Sequence, residues 1–223
     1  PLREAVCEQC HLEGAARVVR RGREASDFRP GLPLESVLSV FVKTATGGAD
    51  RKAVNHVEQM YQSGCFRRGS GDDRIGCVSC HDPHDYVGPD RRVAYYRAAC
   101  RNCHGRKQPD CSVPEAERMR SSPDDSCIQC HMPPYGSSDI VHNASTDHRI
   151  PRRPGQADAP DGRAGESTAL ATLFHHDNLD ERDPEYRRDL ALALALAAER
   201  KDGPAAFAGR QADALLGAAA RNF

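Results

Sequence analysis

Tryptophan is absent from this 223-residue chain, aromatic residues of every kind make up 5% of it, and methionine occurs three times. Mean hydropathy is −0.67, and 18 glycines and 15 prolines interrupt the sequence. A polypeptide so poor in bulky apolar side chains is badly equipped to build an ordinary core of this size, and by composition alone it approaches the disordered class. No apolar run approaches the length of a membrane span. An excess of charge is missing as well: the formal net charge is −1 and the isoelectric point lies near 6.9. Nothing in that balance reads as the clustered basic excess that nucleic-acid binding requires.

What the chain does have is ten cysteines and ten histidines. Eight of the cysteines fall in four copies of one five-residue pattern: CEQCH at Cys7, Cys10 and His11, CVSCH at Cys77, Cys80 and His81, CRNCH at Cys100, Cys103 and His104, and CIQCH at Cys127, Cys130 and His131. Two cysteines at this spacing can each form a thioether to a haem vinyl group, and the histidine that follows at once is held beneath the iron. A C-x-x-C pair also serves zinc and thioredoxin-like redox sites, but neither chemistry needs the histidine that follows every pair here. The pattern therefore predicts four covalently bound haem c groups, with His11, His81, His104 and His131 as proximal ligands. Four macrocycles also answer the shortage of apolar residues, since each is a large flat apolar body around which loops can pack. The expected fold is mainly α with extensive irregular backbone, a small multihaem arrangement organised around its cofactors and unable to fold without them. Some of the arginines, which far outnumber lysines, suit bidentate pairing with haem propionates.

The two cysteines outside the motifs are Cys65 and Cys111. Thioether attachment takes place outside the cytoplasm, and an oxidising compartment favours a disulfide between them, with two buried thiols as the alternative. Six histidines remain: His56, His84, His142, His148, His175 and His176. Six-coordinate iron needs one distal ligand per haem. His84 lies three residues after His81, too close to pass around the edge of the same macrocycle, so it is expected on a neighbouring haem. His56 sits in a helix-forming stretch with Met60 one turn on, a rival sulfur ligand or a packing residue. His142 and His148 occupy a polar segment with no periodicity to justify structural burial. His175 and His176 exceed the internal requirement and are possible ligands to an iron in an adjacent molecule.

The sequence suggests a haem-binding domain over 1–150, a linker or arm over 151–182 and a C-terminal helical hairpin over 183–223. Leu34, Val37, Leu38 and Phe41 recur at i, i+3, i+4 and i+7, which predicts a short amphipathic helix over 32–43, entered at Pro33. Each motif is expected on or just before a helical turn. Residues 151–167 are rich in proline, glycine and charge. Beyond them, Asp183 and Pro184 suit the N-cap and first position of a helix, and Gly203 its end. Leu190, Leu192, Leu194 and Leu196 would split between two faces of that helix. It would be buried on both sides, one face against its hairpin partner and the other against the haem domain or another molecule.

The segments RPGLPL at 29–34, HVEQM at 56–60, CVSCHDPH, CIQCHMP and TDHRIPR resemble bacterial multihaem cytochromes c associated with tetratricopeptide repeats, over roughly residues 5–155. That resemblance implies distal ligation by His56, His84, His142 and His148. The roughly 40 C-terminal residues are too few for an array of 34-residue repeats. In haem count and surplus histidine the chain also resembles extracellular tetrahaem cytochromes that polymerise into conducting filaments. The expected function is electron transfer through closely packed bis-histidine haems, without catalysis, in an exported periplasmic or extracellular protein whose signal has been removed. Head-to-tail self-association is expected, with redox proteins or an extracellular acceptor as further partners. Two alternatives are a multihaem reductase with one open iron, and a monomeric carrier docked to its partner by the hairpin.

Overall fold

The computed structural model describes residues 3–43, 54–71, 74–105, 111–136, 144–153, 171–175, 180–199 and 205–220. It is mainly helical, with irregular segments and little sheet. The chain divides into two compact units, one formed by Pro1–Asp50 with Ala159–Phe223, the other by Arg51–Asp158. This partition differs from the expected three segments. The first CxxCH motif falls in the same unit as the C-terminal helices, and the other three share the second unit.

In the first unit, α1 (Ala5–His11) carries the first motif. The chain then turns through Gly14, which has φ +67°. A Cβ there would stand 2.6 Å from the Phe41 carbonyl oxygen and 2.7 Å from Val40 Cγ1, so only glycine lets the backbone pass this close. Strands β1 (Ala16–Val19), β2 (Leu38–Lys43) and β5 (Ala171–Leu173) form an antiparallel sheet in the order β1-β2-β5.

The helix expected over 32–43 is therefore a short 3-10 turn, Leu34–Ser36, running into a strand. All four residues of the supposed helical face are buried, but Leu34 lies in the turn, Val37 caps it, and Leu38 and Phe41 are on the strand. A central strand covered on both faces reads as a continuous apolar run, and β-branched Val40 and Val42 favour the pleat over the helix. The arm expected over 151–182 likewise contains a structured piece, since β5 pairs with β2 through Phe41 and Leu173.

Helix α7 (Pro184–Glu199) begins as its sequence indicates, with Asp183 Oδ1 accepting the Glu185 backbone N–H at 3.0 Å. One face joins the cluster of Ala16, Val18, Phe41, Leu173 and Ala193 on the sheet. The other packs Leu194 against Ala208 and Ala212 of α8 (Ala205–Ala219). Burial on both sides is thus met within the chain, and the face expected against the haem domain or another molecule lies on the small sheet instead. Gly203 lies outside the described residues.

The second unit holds α2 (His56–Gln62), α3 (Gly64–Arg68), α4 (Pro89–Arg101), α5 (Glu115–Ser121) and α6 (Cys127–His131). A two-stranded pair, β3 (Pro134–Gly136) with β4 (Ala144–Thr146), completes it. Its buried apolar residues, among those described, are Val57, Met60, Tyr135 and Pro151. Helices α4, α5 and α6 have no buried residue. No described helix is long and apolar enough to cross a membrane.

Candidate haem-attachment and axial-ligand sites

All four CxxCH motifs sit on helical turns. The first and fourth are α1 and α6 themselves. The second occupies a 3-10 turn, Cys77–Ser79, closed by the His81 backbone N–H donating to the Cys77 carbonyl at 3.0 Å. The third ends α4, with His104 N–H donating to the Cys100 carbonyl at 3.0 Å. Residues i, i+3 and i+4 of a helical turn share one face, so each motif presents two sulfurs and an imidazole to the same side. That donor set is what thioether attachment with proximal ligation requires.

The motifs of the second unit are close neighbours. The Cys100 thiol hydrogen-bonds the Cys127 sulfur, which pushes Cys100 up and draws Cys127 down to about 6. Burial, and then the adjacent Cys103, raise the Cys65 thiol. Burial, then Cys65 and Cys103, raise Cys80. Cys65 therefore stands with the second cysteines of the second and third motifs. The expected Cys65–Cys111 bridge is not formed: the cysteines are thiols, with Cys65 half-buried and Cys111 exposed.

The histidines separate into three groups. The structure brings His56, His81 and His148 together. His81 and His148 rings have centroids 6.3 Å apart and planes 24° from parallel, and the His56 ring stands edge-on to His148 at 4.7 Å. Their donor atoms do not converge within 4.8 Å as a set, as a bare-ion site would need. His148 Nδ1–H donates to the Thr146 carbonyl at 2.8 Å, and His131 Nδ1–H donates to the Pro151 carbonyl at 2.8 Å. A carbonyl only accepts, so each bond fixes the tautomer and makes Nε2 the lone-pair nitrogen that a metal takes.

The remaining ligand candidates are placed elsewhere. His84 is exposed, its backbone N–H on Asp82 Oδ1 at 2.9 Å. His175 belongs to the first unit, where its Nε2 lies 3.0 Å from Oε2 of Glu8, a buried residue inside the first motif. His142 and His176 lie outside the described residues.

Several supporting residues carry no signal in the sequence. Gln59 is buried, and its Oε1 accepts the His148 backbone N–H at 2.8 Å while its Nε2 donates to Asn55 Oδ1 and Tyr135 Oη. The Tyr96 hydroxyl approaches His81 Nδ1 at 3.4 Å. Gln59 stands one turn from His56, which is its only clue in the sequence.

The family model described as the doubled CXXCH motif matches residues 70–109, spanning the second and third motifs. No curated protein and no solved structure matches the chain. The matched motifs indicate covalent haem c and support a multihaem c-type cytochrome. The residues present fit that group: helical turns bearing two sulfurs and one imidazole, and a unit in which α4, α5 and α6 have no buried residue.

Proposed function

We propose that the chain is an electron carrier holding four covalent haems, each bound by its CxxCH motif and closed by a second histidine. The observation that carries this reading is the His81–His148 pair. The two rings lie near-parallel with centroids 6.3 Å apart, and the Nδ1–H bond to Thr146 leaves His148 in the ligating tautomer. Both imidazoles would be available to a haem attached at Cys77 and Cys80, His81 as the proximal and His148 as the second ligand. Bound haem supplies the one-electron chemistry; the chain supplies ligands, spacing and exclusion of water. Closure of both axial positions leaves no place for a substrate, which disfavours the reductase alternative.

His11, His104 and His131 are the other proximal ligands in this reading. His56, His84 and His142 are candidates for the remaining distal positions. Export to the periplasm or cell exterior follows from where haem c is attached. Head-to-tail association remains part of the proposal, with the α7–α8 pair as a docking element. The apolar faces of α7 are covered within the chain, so such contact would use α8 or the haem edges.

Pyridine haemochrome and intact mass should report four haems per chain, and electron paramagnetic resonance should show low-spin iron throughout. His148→Ala should convert one haem to a high-spin or weak-ligand form. A wild type with a high-spin, ligand-accessible iron would transfer the reading to the reductase.

A further inference from the structure

We propose that Asp125 is a positioning residue that latches the third and fourth haem-attachment motifs together and so sets the electronic coupling between the haems they carry. The inference rests on the reading that both motifs are loaded. Asp125 immediately precedes Ser126, the N-cap of α6, whose hydroxyl accepts the Gln129 backbone N–H. Its φ of +49° lies in the left-handed region, which asparagine and aspartate tolerate better than most residues. Two guanidinium groups converge on its carboxylate. Arg118 of α5 donates Nε to Oδ1 at 2.7 Å and Nη2 to Oδ2 at 3.1 Å. Arg97 of α4 donates Nη2 to Oδ2 and Nε to the Asp125 carbonyl at 3.2 Å.

Arg97 stands three residues before Cys100, on the same helical face. The latch therefore ties the last turns of α4, which carry the third motif, to the turn that launches the fourth. Its consequence is visible at the sulfurs, where Cys100 and Cys127 lie within hydrogen-bonding reach. Haems attached at Cys100 and Cys127 would be held by these adjoining positions. The carboxylate is well shielded, with a side-chain exposure of 15% against 32% for Arg97 and 24% for Arg118. A forked carboxylate shared by two planar guanidinium groups fixes direction as well as distance.

The test is Asp125→Asn in the fully loaded protein. Asparagine keeps the shape and the left-handed backbone but removes the charge and turns one acceptor into a donor facing a guanidinium. Haem count and low-spin spectrum are expected to stay as in wild type. The exciton couplet in Soret circular dichroism should lose amplitude, and the redox titration should shift for two of the haems. Arg97→Gln, which leaves Arg118 on the carboxylate, should move both readouts in the same direction. An unchanged couplet and unchanged titration in both variants overturn the proposal. If the variants carry fewer haems, loss confined to the Cys100 and Cys127 peptides supports the proposal, and loss spread equally over all the motifs overturns it. Wild-type peptide mass lacking haem at Cys100 or Cys127 overturns this proposal together with the four-haem reading. A high-spin wild type overturns only the electron-carrier reading.

Discussion

His148 is held in place mainly through its neighbours. Gln59 accepts its backbone N–H, Thr146 accepts its Nδ1–H, and His56 stands against its ring. Gln59 is the anchor, buried and bonded on both ends of its amide. Gln59→Leu would leave the His148 N–H and the Asn55 side chain without this partner, at a cost of about 1–3 kcal/mol. We expect full haem loading with a measurable high-spin fraction at one iron in the optical spectrum; an unchanged spectrum would show that Gln59 does not serve axial ligation. Tyr96 is a second residue of this kind. Its hydroxyl meets His81 Nδ1, the nitrogen whose partner tunes a ligand's basicity. Tyr96→Phe should shift one midpoint potential in a spectroelectrochemical titration and leave the others in place. The CxxCH spacing makes the motif cysteines and histidines legible as candidates, and the family match covers the second and third of them. Gln59, Tyr96 and Asp125 were not legible, because such residues serve many roles and only tertiary contact selects one.

At the scale of elements, apolar periodicity located the buried positions of the first unit better than their conformation. Leu34, Val37, Leu38 and Phe41 are each buried, yet they lie on a turn and a strand, since a strand covered on both faces loses its alternation. For α7 the helix-favouring composition and the Asp183–Pro184 start were sufficient. The sheet beneath it was hidden, because β5 is three residues long and remote in sequence. The same packing buries Asp189 on α7, whose carboxylate accepts from Ser39 Oγ at 2.7 Å and Arg188 Nη1 at 2.6 Å. Burial nevertheless raises its pKa, with those two bonds opposing the shift. A folded carboxyl that holds its proton more tightly than the unfolded one stabilises the fold in acid. That contribution is lost as pH rises from about 4, the ordinary aspartate value, through the raised one. Asp189→Asn lacks the titration. The melting temperature of wild type minus that of the variant should therefore fall across this window; a flat difference would mean that Asp189 folds with an ordinary pKa.

For the whole molecule, the shortage of apolar residues falls unevenly on the two units. The first has protein cores of its own, one between the sheet and α7 around Phe41, the other between α7 and α8 around Leu194. The second has α4, α5 and α6 without a buried residue, and its buried polar set includes Gln59, Ser63, Ser122, Ser126 and Asp147. The expectation that the chain as a whole depends on cofactor for its core therefore narrows to the second unit. There, attachment of haem contributes both the apolar surface and the cross-links that the residues lack. In the first unit, burial of Leu194 and Phe41 alone accounts for side chains whose truncation to alanine costs about 2–5 kcal/mol each in a packed core. The prediction is that chain produced in a host lacking haem-attachment machinery, with thiols kept reduced, retains slow amide hydrogen exchange in α7 and β2. Residues of α4 and α6 should exchange at the rate of an unfolded chain, and loading with haem should slow them selectively. Equal protection in both units without haem would show that the second folds on side-chain contacts alone. Loss of protection in both would show that the first unit also needs attachment of haem, for which Cys7 and Cys10 are the candidates.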